Sequence, residues 1–266
     1  MPVTEKLYYF LYEAYPDAPT VVLLHGAGGT HLNWPPEVRR MEGGRIYALD
    51  FPGHGKSDEV GGQQSIASYA TAVVRWLDAL EIRQAVLVGH SMGGAVALTL
   101  ALDYLERVTG LGLIATGARL RVHPDFITYA ATPTLLSRAI QQIVALSFSP
   151  SAPPRLVELA AQRLAETRQS VFYNDLLACD QFDRMEDLSR VHCPTLVLCG
   201  LEDQMTPLRY SQYLADHIPQ AQLSVVPEAG HMVMLEQPAL VQAQLEAFLH
   251  RLQDPIRGRG VNVPGD

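Results

Sequence analysis

Ser91 sits between two glycines in Gly89-His90-Ser91-Met92-Gly93. The apolar run Ala85-Val86-Leu87-Val88 before it reads as a buried strand, and residues 94 to 105 after it read as a helix. A Gly-x-Ser-x-Gly at a strand-to-helix junction forces a sharp turn that lifts the serine hydroxyl clear of the sheet. The glycines leave room for that turn and for the following helix. Such a hydroxyl becomes a competent nucleophile when a neighbouring base takes its proton. The expected base is a histidine, held in one tautomer by a buried carboxylate.

Two later strand ends carry those residue types. Thr195-Leu196-Val197-Leu198-Cys199 reads as a strand followed by Gly200-Leu201-Glu202-Asp203. Leu223-Ser224-Val225-Val226 reads as the next strand and is followed by Pro227-Glu228-Ala229-Gly230-His231. Open parallel sheets place their sites just past the carboxyl ends of strands, so three loops can bring Ser91, Asp203 and His231 together. Glu202, Asp180 and Asp183 are rival carboxylates. A fourth run, Val21-Val22-Leu23-Leu24, leads into His25-Gly26-Ala27-Gly28-Gly29, whose backbone N–H groups can point at a developing negative oxygen.

Together with Asp50-Phe51-Pro52-Gly53-His54-Gly55-Lys56-Ser57-Asp58, these motifs resemble the α/β-hydrolase superfamily, in its carboxylesterase and lipase-like branch. The likeness runs from residue ~20 to residue ~235, in family order. It implies an α/β fold: a mostly parallel central sheet with helices on both faces and an inserted helical cap. It also implies the chain order serine, acid, histidine, hence Ser91 as nucleophile, Asp203 as acid and His231 as base. Some relatives carry the acid after the strand that follows the elbow; here that strand ends Leu113-Ile114-Ala115-Thr116 without a carboxylate, which favours Asp203. By the same resemblance the oxyanion donors are the N–H groups of Ala27 and Met92.

The implied reaction is hydrolysis of a carboxylic ester through an acyl-enzyme, without a cofactor. An apolar cap favours a small to medium neutral ester. Enol-lactone hydrolysis uses the same groups. Carbon–carbon hydrolases of meta-cleavage products usually have asparagine before the serine and tryptophan after the histidine, where this chain has His90 and Met232. Haloalkane dehalogenases and epoxide hydrolases carry aspartate at the elbow, so Ser91 argues against both. A ligand receptor on the same scaffold would turn over slowly and signal through cap movement.

Histidines 25, 54 and 90 have no metal-ligand spacing; His25 and His54 are expected to brace the glycine loop through hydrogen bonds. Asp50 and Asp58 flank a glycine turn and are expected to be structural. No Lys-Ser/Thr follows Gly26, Gly28 and Gly29, which sets aside a phosphate loop.

The elements that must hold these residues read as follows. Leu7 to Tyr12 forms an opening strand at the sheet edge, and residues 45 to 49 a strand ending at Asp50. Residues 65 to 80 form a helix with Ser65 as N-cap. Residues 108 to 114 form the strand after the elbow helix, and 240 to 252 a last amphipathic helix. Such alternation implies a parallel sheet covered on both faces. From about Ala118 to Arg190 the alternation stops, and helices are expected over 135–146, 154–167 and 171–179, with prolines at the joints. The division is therefore core 1–117, cap 118–190, core 191–253 and a loose tail 254–266.

At 266 residues, 48% hydrophobic and 18% charged, the chain suits one globular domain with an insertion. A formal net charge of −8 without a basic cluster argues against a nucleic-acid partner. No leader pattern stands at Met1, and glycines interrupt the apolar run 86–105, so no membrane association is expected. Three cysteines without metal-like spacing suit a reduced, cytoplasmic protein. A monomer or homodimer acting on a small-molecule ester is the expected state.

Overall fold

The computed structural model describes residues 3–57 and 63–253. The expected loose tail 254–266 and Asp58 lie outside the described residues. The elements run β1 (Val3–Thr4), β2 (Leu7–Tyr12), β3 (Thr20–Leu24), α1 (Pro36–Arg39), β4 (Arg45–Leu49), α2 (Ile66–Ala79), β5 (Ala85–His90), α3 (Met92–Asp103) and β6 (Val108–Ile114). They continue with α4 (Pro124–Ala131), α5 (Leu136–Ser147), α6 (Pro154–Glu166), α7 (Gln169–Asp180), β7 (Thr195–Gly200), α8 (Leu208–His217), β8 (Ala221–Val226), α9 (Val233–Glu236) and α10 (Pro238–Gln253). None of these helices is long and apolar enough to cross a membrane.

One eight-stranded sheet has the order β1-β2-β4-β3-β5-β6-β7-β8. It is the α/β-hydrolase fold expected from the sequence. The two pairings that involve β2 are antiparallel, and all the others are parallel. The expectation that Leu7–Tyr12 is the edge strand is corrected here. The two-residue β1 pairs outside it, Val3 with Tyr8 and Thr4 with Leu7. A strand that short has no alternation to read.

Strands β3, β5 and β7 are near-continuous apolar runs because both faces are covered. Val21 and Leu23 face one core cluster, with Val38 of α1 and Val241, Leu245 and Phe248 of α10. Val22 and Leu24 face the other, with Trp76 of α2, Leu100 of α3 and Leu214 of α8. Each fully buried Val or Leu contributes roughly 1.5–3 kcal/mol, which fixes the register of strands buried on both sides.

Register then decides where the loops meet. Leu24 lies opposite Gly89, His90 opposite Ile114, Ile114 opposite Leu198, and Gly200 opposite Val226. The carboxyl ends of β3, β5, β7 and β8 therefore finish at one rim. The chain leaves β3 for β4 on one side and returns to β5 on the other, so the rim opens at the switch point where crevices form.

Between β6 and β7 the helices α4 to α7 replace strands. The three expected helices are present as α5, α6 and α7. Helix α4 was not expected. Pro124, read from the sequence as a joint, is the first residue of that helix, where a missing N–H costs nothing. The insertion has its own apolar cluster of Ala130, Ile140, Ile143, Val144, Phe148, Phe172 and Leu176, extended by Met205 and Met232 of the core.

Candidate active site

Ser91 joins β5 to α3 with φ 52° and ψ −116°. Only a few per cent of non-glycine residues adopt a positive φ, and the cost is roughly 1–3 kcal/mol. The surroundings hold it there. Its N–H donates to the Ile114 carbonyl at 3.0 Å, and its own carbonyl accepts from Thr116 Oγ1 at 2.8 Å and from Gly94 N–H at 2.9 Å. The flanking glycines are a steric requirement: a side chain at Gly89 would run into the Gly93 carbonyl, and one at Gly93 into the Leu24 carbonyl.

His231 follows β8, and Asp203 follows β7. The two loops are tied together, since Glu202 N–H donates to the Ala229 carbonyl at 2.9 Å. His231 Nδ1 donates to Asp203 Oδ2 at 2.9 Å. Asp203 also accepts from the N–H groups of Met205 and Thr206 and from Thr206 Oγ1, each at 2.8 Å. Burial would raise the Asp203 pKa, but the facing His231 and these donors outweigh it and hold the carboxyl below the usual carboxylate range. With Nδ1 carrying the hydrogen, Nε2 of His231 keeps a lone pair. The two rival carboxylates of the insertion are engaged elsewhere. Asp180 accepts from Val122 N–H at 3.1 Å, and Asp183 faces Arg119 and Arg121 at 3.7 Å.

The His231 turn is anchored from both sides. Glu236 accepts Gly230 N–H with Oε1 and Ser149 N–H with Oε2, each at 2.8 Å, which ties the turn to the stretch between α5 and α6. His90 Nε2 donates to the His231 carbonyl at 3.0 Å, and the two rings lie 4.8 Å apart. Burial, reinforced by the His231 ring, pushes His90 down to about 3, so it is neutral.

The loop after β3 is braced by histidines, as expected. His25 Nδ1 donates to the Gly26 carbonyl at 2.7 Å, and Nε2 accepts from Phe51 N–H at 3.1 Å. Burial and the nearby His54 ring push His25 down to about 3, which suits this neutral tautomer. Gly29 N–H donates to the same Gly26 carbonyl at 3.0 Å, closing a tight turn in which Gly28 has φ +64°. The peptide unit is planar and trans, so gripping the Gly26 carbonyl from one side aims the Ala27 N–H to the other. Met92 opens α3, where first-turn N–H groups have no partner within the helix. Asp50 is structural, accepting from His31 N–H at 2.6 Å, His31 Nδ1 at 2.8 Å and Lys56 N–H at 3.0 Å.

Three contributors escaped the sequence. Thr206 and Glu236 are legible only once the loops are in place. Asp175, on α7, left a signal: it interrupts the buried stripe Val171, Phe172, Leu176 and Cys179. An acid on an apolar helix face needs partners, and it has them in Gly28, His54 and Tyr69.

Ser91, His231 and Ala27 line one cavity of about 460 Å³. Its other walls come largely from apolar side chains of the insertion, among them Phe126, Val144 and Phe172. Arg121 and Arg163 also line it, whereas no Asp or Glu does among the described residues. No three His, Cys, Asp or Glu side chains among the described residues cluster as a metal-ion site.

The chain is 32% identical over 240 residues, 87% of its length, to the dihydrolipoyllysine-residue acetyltransferase component of the acetoin cleaving system of Pseudomonas putida, and spans 63% of that longer relative. A protein named carbamate hydrolase RutD from Pseudomonas syringae pv. syringae (strain B728a) is 31% identical over 247 residues, covering 88% of this chain and 94% of that one. The solved structure of a thermophilic esterase superposes with a TM-score of 0.79 at 32% identity, over 92% of this chain and 98% of that one. The sequence profile of the alpha/beta hydrolase family matches residues 21–244, and the chain belongs to that family.

Proposed function

We propose that the protein is a serine hydrolase that cleaves small to medium carboxylic esters through an acyl-enzyme. Ser91 is the nucleophile, His231 the general base, Asp203 its orienting acid, and the N–H groups of Ala27 and Met92 form the oxyanion hole. The observation that carries this reading is the Nδ1–H···Oδ2 bond from His231 to Asp203, which leaves a basic Nε2 on a ring lining the same cavity as Ser91.

In the proposed cycle Ser91 Oγ adds to the ester carbonyl as Nε2 takes its proton. The carbonyl electrons move to the oxygen, which the two amides stabilise by roughly 3–4 kcal/mol per key donor. The tetrahedral adduct collapses, the C–O bond to the alcohol breaks, and the imidazolium returns the proton to the leaving oxygen. Water then attacks the acyl-serine by the same route and releases the acid. Asp203 keeps the imidazole in the correct tautomer and stabilises its charged form. The insertion acts as a cap that excludes water and sorts acyl and alcohol groups by its apolar walls.

A second reading has a specific support. The relative named as a carbamate hydrolase matches nearly its whole length at 31% identity, and a carbamate presents the same carbonyl to the same machinery. A panel of p-nitrophenyl esters of increasing acyl length, run beside aryl carbamates, separates the two. Preferred ester turnover and fluorophosphonate labelling at Ser91 are expected. An unlabelled Ser91, or a Ser91→Ala protein that keeps its turnover, would refute the assignment.

A further inference from the structure

Asp175 has no exposed surface, and it comes from the insertion while its partners come from three separate parts of the core. Oδ2 accepts Gly28 N–H at 2.7 Å and His54 Nε2 at 2.8 Å, and Oδ1 accepts the Tyr69 hydroxyl. The insertion also holds the other side of Gly28. Thr167, just past α6, donates its hydroxyl to the Gly28 carbonyl at 2.8 Å. Both peptide units that flank Gly28 are thus fixed by one corner of the insertion, between α6 and α7. His54 also faces the Pro52 carbonyl through Nδ1 at 3.1 Å. Two acceptors on one imidazole require two ring hydrogens, so the ring is an imidazolium that neutralises Asp175. Burial opposes that charge, but the Asp175 carboxylate outweighs it and the His54 pKa is raised.

From this geometry we infer that Asp175, assisted by Thr167, is a positioning residue for the oxyanion hole: seating the insertion and aiming the Ala27 amide are one event. The inference rests on the serine-hydrolase reading above. Without the clamp, the Ala27–Gly28 peptide is free to rotate, and Gly28, with φ +64° and no side chain, offers little resistance. The Gly28–Gly29 peptide carries the N–H that grips the Gly26 carbonyl at 3.0 Å, so loosening Gly28 weakens the hold that aims the Ala27 amide at the developing oxyanion. Ground-state binding draws on the apolar walls and is left alone, whereas the tetrahedral state loses a donor. The neutralised pair also allows a carboxylate to sit behind the loop without repelling the oxyanion.

The test uses the full-length protein. Wild type, Asp175→Ala, Asp175→Asn and Thr167→Val are assayed for kcat and KM on a p-nitrophenyl ester. They are also assayed for affinity toward an alkyl trifluoromethyl ketone, which forms a tetrahedral adduct, and toward the matching methyl ketone, which does not. Asp175→Ala is expected to lower kcat and trifluoromethyl ketone affinity together by about 100-fold, the scale of a lost oxyanion donor. KM and methyl ketone affinity should stay within about 3-fold, the mark of an interaction made only in the transition state. Asp175→Asn, which keeps an acceptor, should recover part of the loss, and Thr167→Val should move both quantities in the same direction. If Asp175→Ala does not fold, the other two variants decide. Folded variants with unchanged kcat and unchanged trifluoromethyl ketone affinity overturn the inference while fluorophosphonate labelling of wild-type Ser91 keeps the reading beneath it. An unlabelled wild-type Ser91 overturns both.

Discussion

His90 donates Nε2–H to the main-chain carbonyl of His231 at 3.0 Å, and its ring lies 4.8 Å from the ring that follows that bond. The residue before Ser91 thus holds the turn that carries His231. It does so uncharged, because burial and the adjacent ring push it down to about 3.

A buried neutral histidine makes stability depend on pH with a definite sign. Between its ordinary 6.5 and its folded value of about 3, the unfolded chain binds a proton that the folded one refuses, so stability is lost as pH falls through that window. Going from pH 7 to pH 5 costs about 2 kcal/mol through His90 alone. His25 acts in the same direction and His54 in the opposite one. His90→Gln should therefore show a pH dependence shallower by that amount, read from guanidinium unfolding at the two pH values. Parallel curves for variant and wild type would remove His90 from the account.

Asp203→Asn should lower kcat by roughly 10³–10⁴-fold with KM within a few fold, because a carboxamide no longer enforces the Nδ1–H tautomer of His231. The depressed Asp203 carboxyl also contributes stability that is present above its ordinary 3.8 and lost as pH falls through the folded value. Steady-state kinetics decide the first point: a variant within tenfold of wild type would contradict the orienting role.

Gly93→Ala tests the elbow's steric demand. The new methyl group would overlap the Leu24 carbonyl, which is main chain within the sheet and cannot swing aside. The expected loss is about 3 kcal/mol or more, seen as a lowered unfolding midpoint or as failure to accumulate folded protein. A variant with the wild-type midpoint would show that β3 and α3 can separate at no cost.

Glu236→Gln leaves one of two backbone N–H groups, Gly230 or Ser149, facing an amide nitrogen that cannot accept. The destabilisation should be about 1–3 kcal/mol, measured by urea unfolding. An unchanged midpoint would mean that the carboxylate contributes nothing to the tie between the His231 turn and the insertion.

The parts of the site that were legible in the chain are those fixed by short-range rules. Strands β3, β5 and β7 read directly because both faces are buried and the apolar runs are unbroken. The elbow read directly because Gly89 and Gly93 answer a steric need that no other residue meets. Ser65 read as an N-cap and accepts Ser68 N–H at 3.1 Å. The order of the loops along the chain singled out Asp203 and His231, and the structure brings those two together.

What escaped depends on distant pairing. Asp175 meets Gly28 across 147 positions of chain, and Glu236 meets Ser149 across 87. No local pattern encodes such a partner. Asp175 is buried on α7, whereas Asp180 is the last residue of that helix and only half-buried, and Asp183 lies beyond it, exposed. Helix α4 was hidden because Pro124 marks a start as readily as a break.

The chain enters and leaves the insertion at adjacent points, where Arg119 and Asp183 form an antiparallel bridge and Arg184 N–H donates to the Ala118 carbonyl at 2.8 Å. Its two seams therefore lie side by side, and a segment from a relative could be transplanted there to redesign selectivity while the strands stay as they are. The graft would carry one hidden obligation. A donor segment without an acid where Asp175 stands would leave the His54 ring, the Tyr69 hydroxyl and the Gly28 N–H without their shared acceptor in the dry interior, so such chimaeras must keep that carboxylate together with His54 and Tyr69.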